Sequence, residues 1–313
     1  MNTTVSASSL PLLKKIGTPG SRLNLDEPIF HYTSAAGACS ILHSKKLWAS
    51  NAKYLNDSSE LQLAYNMAFK AADERLKNIV EIGSNNKQSV RDATRELLCQ
   101  IKESMKNGID HPSLDVYVTC FSLKDDVLSQ RRGYSDGGGF SIGINPKLLK
   151  SSVSKAAASM GSTKSLIDIR RVSYSHEAWI NDVVAAIDSL IENARKRVAQ
   201  ENGIDVARLT ERLCSAFSKE IARAAPYIKD NGFKEEQEIR LAVYTNASST
   251  LGARQFRTAG SAIIPHLSLC IGDSLESVRV GPRQDHELQI RAIKLMNLKP
   301  VVNLFHSTIP FRT

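Results

Sequence analysis

The sequence predicts an α+β fold, and three observations carry that prediction. Strand-like runs are clustered around two long helical stretches instead of alternating with helices, which argues against a doubly wound sheet. The helical stretches, about 58–108 and 176–229, repeat apolar residues at three- and four-residue spacing. The chain is long enough, at 313 residues with 42% hydrophobic and 23% charged residues, to bury a substantial core as one large domain or two small ones. No internal repeat is evident, and the organisation expected is a flexible leader over 1–27 followed by a single domain over 28–313 that contains both helical insertions.

Taken in order, Met1 to Ser21 is rich in Ser and Thr and has no compact apolar core, so it is not a Sec signal peptide. Ile29–Thr33 and Lys46–Ser50 have strand composition, with a short helix beginning in Ser34–Ile41 between them. From Ser58 the spacing of Leu61, Ala64, Ala68, Ala72, Leu76 and Ile79 is helical. Val90, Leu97, Ile101 and Met105 mark a second amphipathic helix, with Gly108 as its stop. Strands are expected at Asp115–Phe121, Gly139–Ile144 and Leu166–Tyr174. Two long helices follow, His176–Gln200 and Val206–Tyr227, joined through Asn202-Gly203. After the strand that starts near Ile239, the chain predicts strands at Arg254–Ile264, Val278–Val280 and Val301–Phe305, and a helix at Glu287–Met296.

Several function classes lose support on composition. No apolar run approaches the ~20 residues that span a bilayer, so no membrane partner is expected. Five scattered cysteines, never in a C-x-x-C pair, fit reduced thiols and a cytoplasmic location, with export as an effector by a non-Sec route left open. The seven histidines show no metal-ligand spacing, so no metal is expected. A net charge of +9 favours polyanionic partners such as nucleic acid or the phosphates of a dinucleotide, although no Lys/Arg block resembles a nucleic-acid-binding arm.

The most informative segment is Phe233-Lys-Glu-Glu236-Gln-Glu238-Ile-Arg240, running into Leu241–Tyr244. On a strand, Glu236, Glu238, Arg240 and Tyr244 share one face while Ile239, Leu241 and Val243 anchor the other. This is either a polar strand with a cross-face ion pair or a rigid display of two carboxylates and a guanidinium. Gly133-Tyr134-Ser135-Asp136-Gly137 has the form of a nucleophile elbow but lacks the apolar strand before it and the helix after it, so it is rejected as a hydrolase site. Walker A and dinucleotide-binding glycine fingerprints are absent in proper context. Asn56-Asp57-Ser58-Ser59-Glu60 reads first as a helix cap with Glu60 reaching back. By themselves His31 reads as a core packing residue and Tyr134 as a half-buried loop aromatic.

The order of these segments resembles a bacterial family. Ile29-Phe30-His31-Tyr32-Thr33, then Leu47-Trp48-Ala49-Ser50 with Asn56-Asp57-x-x-Glu60, then Cys120-Phe121-Ser122 are followed by Leu128-Ser129-Gln130-x-x-x-Tyr134 leading into Gly139–Gly143. Glu236-x-Glu238-Ile239-Arg240 and the ending Ser307–Arg312 complete the series. Together they resemble the domain-of-unknown-function family 2971 over about residues 28 to 312, and that family in turn resembles the ADP-ribosyltransferase fold. The resemblance implies a split β core clasping NAD as substrate. His31 would bond the adenosine-side ribose, the backbone near Tyr32 and Thr33 would hold the nicotinamide amide, and Ser50 would join the NAD-binding set. Tyr134 would stack on the nicotinamide ring. Glu238 would bind the nicotinamide ribose hydroxyl, Glu236 would orient or deprotonate an acceptor, and Arg240 would neutralise the carboxylates or contact the phosphates.

That chemistry needs these residue types. Breaking the bond to nicotinamide develops positive charge on the ribose, which a fixed carboxylate stabilises, and an aromatic platform keeps the departing ring flat. The expected function is NAD-dependent ADP-ribosyl transfer, as a toxin or defence effector, to an acceptor macromolecule, with nucleic acid favoured over protein. The alternatives are an NAD glycohydrolase and an inert nucleic-acid- or nucleotide-binding regulatory module. One departure stands out: the family usually carries Trp three residues before the Tyr, and Arg131 occupies that place here, which would add positive charge beside the site.

Overall fold

The computed structural model describes residues 23–54, 58–78, 88–106, 115–135, 138–159, 166–200, 203–245, 254–259 and 261–310. Most of the expected leader, Asn56 and Asp57, the side chains of Ser58 to Glu60, Asp136, Gly137, Asn202, Phe311 and Arg312 lie outside the described residues.

The elements follow in chain order as β1 (Ile29–Thr33), α1 (Ala35–Ser44), β2 (Lys46–Asn51), α2 (Ser58–Lys77), α3 (Gln88–Lys106), β3 (Asp115–Ser122), α4 (Leu128–Tyr134) and β4 (Phe140–Ile144). They continue with α5 (Pro146–Ser159), β5 (Leu166–Arg171), α6 (His176–Gln200), α7 (Val206–Ala224), β6 (Glu238–Thr245), β7 (Gln255–Ala259), β8 (Ala262–Cys270), β9 (Leu275–Val280), α8 (His286–Leu295) and β10 (Asn303–His306). This mixture is α+β, as expected.

Local chemistry accounts for the boundaries. Ser34 caps α1 by accepting from the Gly37 amide, and Asp205 caps α7 by accepting from the Arg208 amide at 3.0 Å. Pro226 has no amide hydrogen to continue a helix, so α7 stops at Ala224 and a 3-10 turn covers Ala225–Tyr227, three residues that the periodicity assigned to the helix. The stretch expected to be β-rich over Arg254–Ile264 is a hairpin, in which β7 turns back to pair Ala259 with Ala262. Helix α5 was not foreseen, although Asn145-Pro146 announces it: the Asn145 carbonyl Oδ1 accepts from the amides of Lys147 and Leu148, and Pro is suited to the first helical position.

Contacts divide the described chain into two compact units. One, from residues 59–112 and 175–228, is helical. Its helices bury apolar stripes such as Leu97, Leu98 and Ile101 of α3, Val183, Ile187 and Leu190 of α6, and Leu213, Phe217 and Ile221 of α7. The buried Trp179 indole donates to the Ala64 carbonyl, and the Ser104 and Ser218 hydroxyls bond at 2.7 Å.

The other unit, residues 20–58, 113–174 and 229–313, holds the sheet. The main path runs β10-β9-β4-β1-β3-β2-β8-β7, with β6 on β3 and β5 on β6. The core lies on the face that carries Ile29, Ile142, Ile144, Phe121, Ile239, Leu241 and Val278. Strand β3 is the branch point. One edge pairs with β6 along its whole length, from Asp115↔Thr245 to Ser122↔Glu238. Of the other partners, β1 meets β3 only at Phe30↔Ser122, and β2 meets it only at Ser50↔Val118 and Asn51↔Tyr117. All five β1 residues are registered with β4. The sheet therefore divides beside Thr119–Phe121, and residues 31–33 of β1 are left out of the ladder on their β3 side.

Glycines allow the close approach of β4 and β9. The Gly281 amide donates to Gly139 O at 2.9 Å, and a Cβ at Gly281 would sit 1.5 Å from Gly138 O. Backbone cannot yield as a flexible side chain does, so Gly281→Ala is expected to cost about 2 kcal/mol or more in urea unfolding.

Candidate functional site

The Glu/Arg segment is built differently from a continuous strand. Asp230 caps a 3-10 turn over Asn231–Glu236, accepting from the Gly232 amide at 2.9 Å, and Gln237 at φ 44 reverses the chain into β6. Glu236 is therefore not on the strand with Glu238, as alternation along a strand had predicted. It ends the turn instead, and Ser122 Oγ of β3 holds it there by donating to the Glu236 carbonyl at 2.9 Å.

Lys229 brings the two carboxylates together. Its Nζ donates to Glu236 Oε2 at 2.8 Å and to Glu238 Oε2 at 3.0 Å, while Arg240 grips Glu238 with Nε on Oε1 at 2.7 Å and Nη2 on Oε2 at 2.9 Å. Glu238, Arg240 and Lys229 are all buried, so both faces of β6 are covered rather than one. Burial by itself would raise the Glu238 carboxyl. The Arg240 charge and hydrogen bond, Lys229 and the Cys120 thiol outweigh it and hold the group down at about 2. Tyr174 accepts from the Glu238 amide at 3.0 Å, and the Lys229 ammonium lies 4.6 Å from the centre of the Phe233 ring.

Cys120 links this cluster to β1. Its thiol bonds the Glu238 carboxylate, and its carbonyl, which lies at the division of the sheet, is 2.9 Å from His31 Nδ1. A carbonyl only accepts, so Nδ1 carries the proton and the neutral ring presents Nε2 as an acceptor. Burial lowers the His31 pKa, which keeps the ring neutral. Tyr134, at the end of α4, is 45% exposed, and its phenol is raised by burial and by the nearby Glu236 charge. It is a helix terminus with an exposed ring rather than a half-buried loop aromatic.

The remaining expected residues have structural partners. Tyr32 is buried; its hydroxyl donates to Lys124 O and accepts from the Val127 amide, both at 2.9 Å, and its pKa is pushed up to about 12 by burial. Ser50 accepts from Arg257 Nη2 at 3.1 Å. Arg240 is committed to Glu238. Thr33 lies on β1 beyond the division, where its side chain packs against Gly37. Ser135 of the rejected elbow motif donates its hydroxyl to Arg131 O at 2.8 Å.

Arg131 does not add free charge to the site. It is wholly buried, its Nε donates to Asp126 Oδ1 at 2.8 Å, and its guanidinium lies 5.6 Å from the Tyr32 ring centre. Asp126 also accepts from the Ser307 hydroxyl and the Thr308 amide. One carboxylate thus ties α4 to the C-terminal Ser307-Thr308 and explains why those distant segments matter together.

Residues 130–241 match a family model described as a protein of unknown function, DUF2971. That match bears out the family read from the ordered motifs. No curated protein and no solved structure matches the chain. The DUF2971 segment contains Arg131, Tyr134, Lys229, Glu236, Glu238 and Arg240, whereas His31, Tyr32, Thr33 and Ser50 precede it.

Sequence reasoning missed Lys229. It lies seven residues before Glu236 with no periodic relation to it, and only the capped turn in the DUF2971 segment folds it back. Among the described residues, no group of three or more His, Cys, Asp or Glu is placed to hold a metal ion. No helix of the described residues is long and apolar enough to cross a membrane.

The charges predict acid lability. With Glu238 held below its unfolded value of 4.5, the native state releases a proton that the unfolded chain keeps. Its stabilisation is complete above that value and is lost as pH falls toward 2. His31 adds in the same direction, because the unfolded chain gains a proton below 6.5 that the native ring resists. Thermal melts are expected to fall progressively below pH 6.5, and Glu238→Gln is expected to flatten the portion below 4.5.

Proposed function

We propose that the sheet-bearing unit binds NAD where β1 and β2 part from β3, and cleaves its nicotinamide–ribose bond to transfer ADP-ribose. The observation that carries this reading is that Cys120, beside the division of the sheet, bonds Glu238 through its thiol and His31 through its carbonyl, with the exposed Tyr134 phenol near enough to feel the Glu236 and Glu238 charges. The edge of residues 31–33 left out of the ladder supplies backbone groups suited to an amide.

In this reading the C1′–nitrogen bond breaks and nicotinamide leaves with the bonding pair. Glu238 offsets the positive charge that develops on the ribose. The acceptor's lone pair forms the new bond to C1′, and its proton passes to Glu236. Lys229, bonded to both carboxylates, sets their separation. With water as acceptor the outcome is NAD hydrolysis.

A second reading is favoured by one specific observation. The Glu238 oxygens already accept from Arg240, Lys229 and Cys120, which is what a structural ion-pair network in a non-catalytic module would do. Incubation with NAD labelled on the adenosine side, alone and with RNA, DNA or lysate, separates the two. Label transfer supports the transferase, and nicotinamide release without transfer supports the hydrolase. No binding of NAD at millimolar concentration by calorimetry defeats both and leaves the structural network.

A further inference from the structure

A second group of side chains lies on β2, β7 and β8, outside the carboxylate cluster. Strand alternation and the register Ser50↔His266, Arg257↔Ile264 put Lys46, Trp48, Ser50, His266 and Arg257 on one sheet face. The register Ser50↔Val118 and Cys120↔Arg240 makes this the face that also carries Glu238 and Arg240. Trp48 is 48% exposed, a large area for an indole in the middle of a strand. Its ring lies against buried His266, tilted by 46° with 4.8 Å between centres, and the Arg257 guanidinium lies 6.0 Å from it.

Arg257 is the informative residue. A guanidinium has five N–H donors, and among the described residues this one spends one of them, on Ser50 Oγ. Among the described residues its buried Nε has no partner and no carboxylate pairs with it. Burial disfavours its charge, a cost that an anionic ligand would offset. Because Ser50 Oγ accepts from Arg257, the hydroxyl hydrogen of Ser50 remains to donate. Exposed Lys46 lies two residues from Trp48 on the same face. The wider charge agrees. The helical unit's segments carry almost equal numbers of acidic and basic residues, so the +9 excess resides mainly with the sheet-bearing unit.

An exposed, backed indole beside a half-buried guanidinium with spare donors matches a base joined to a phosphate. We infer that Trp48, Arg257, Ser50 and Lys46 form a binding surface for single-stranded nucleic acid, with a base stacked on Trp48 and a backbone phosphate on Arg257 and Ser50. A single strand fits because its bases are free to stack, whereas those of a duplex are not. Thr119 Oγ1 of β3 donates to Trp48 O, so the surface begins one residue from Cys120. As the acceptor-binding surface of an ADP-ribosyltransferase it rests on the function proposed above. As a nucleic-acid-binding surface it does not.

The test uses the full chain, fluorescein-labelled oligothymidylate and no NAD. Anisotropy at low salt is expected to show binding that Trp48→Ala and Arg257→Ala each weaken by about tenfold or more, while Trp48→Phe retains most of it. Arg257→Ala should also reduce the slope of log affinity against log salt by about 0.7, and Arg257→Lys should restore that slope. The chain has two tryptophans, and Trp179 is 1% exposed, so quenching on binding reports Trp48. Because the assay contains no NAD, the two failures are read apart: strand binding by a chain that does not cleave NAD overturns only the function proposed above, and NAD cleavage without strand binding overturns only this surface. The inference is overturned by any of four results: no wild-type binding, both alanine variants binding as tightly as wild type with unchanged melts, equal affinity for duplex of the same length, or NAD displacing the strand and quenching Trp48 alike.

Discussion

Lys229→Met destabilises the sheet-bearing unit by about 3–5 kcal/mol, the cost of removing one partner from a buried charge cluster. Lys229 Nζ lies 2.8 and 3.0 Å from two carboxylates, with the Glu236 backbone fixed by Ser122 and the Glu238 side chain gripped by Arg240. Without the cation, the two negative charges face each other in a water-poor environment. Urea unfolding at neutral pH checks it. Adding Glu236→Gln to Lys229→Met removes the repulsion and should recover most of the lost stability. A loss that the second change does not recover would mean that Lys229 acts through packing against Phe233 instead.

If the proposed NAD chemistry holds, Glu238→Gln is expected to lower nicotinamide release by about 10²–10³-fold, the usual cost of removing one group that stabilises transition-state charge. The change also leaves Arg240 and Lys229 with one negative charge fewer, so a loss of activity alone would be ambiguous. The double variant Glu238→Gln with Lys229→Met restores the balance of charge. It should fold as well as wild type by thermal melting yet remain inactive. Tyr134→Phe should keep most activity and Tyr134→Ala should lose it, because the phenol's hydroxyl stays protonated and only the ring face is needed. If the balanced double variant folds and cleaves NAD at the wild-type rate, Glu238 belongs to the structural network and the catalytic reading fails.

Much of the fold was legible because its signals are local. The apolar spacing in α6 and the strand composition of β1 depend on neighbours a few residues away, and both appear where expected. Helix α5 also has a local start signal, Asn145-Pro146. The β character of Arg254–Ile264 is legible in its composition, whereas the reversal between β7 and β8 depends on where the chain turns back to pair with itself. The division of the sheet was not readable in this way. It depends on which strands meet β3, and register is set by long-range packing.

Arg131 shows the difference most clearly. As a residue type it implied charge beside a site, and only the approach of Asp126 and the C-terminal segment turns it into a buried staple.

By itself the sequence determined that Glu238 and Arg240 share a face of one strand, that the strand's apolar residues anchor it, and that family resemblance joins it to His31 and Tyr134. Alternation and composition are properties of contiguous residues, so they survive without a structure. Tertiary structure alone decided that Glu236 leaves that strand, that Lys229 ties both carboxylates together, that Cys120 connects Glu238 to His31, and that Arg257 stands beside Trp48. Each of these joins residues separated by a chain reversal or by distant strands, and burial converts weak surface charges into strong, specific ones.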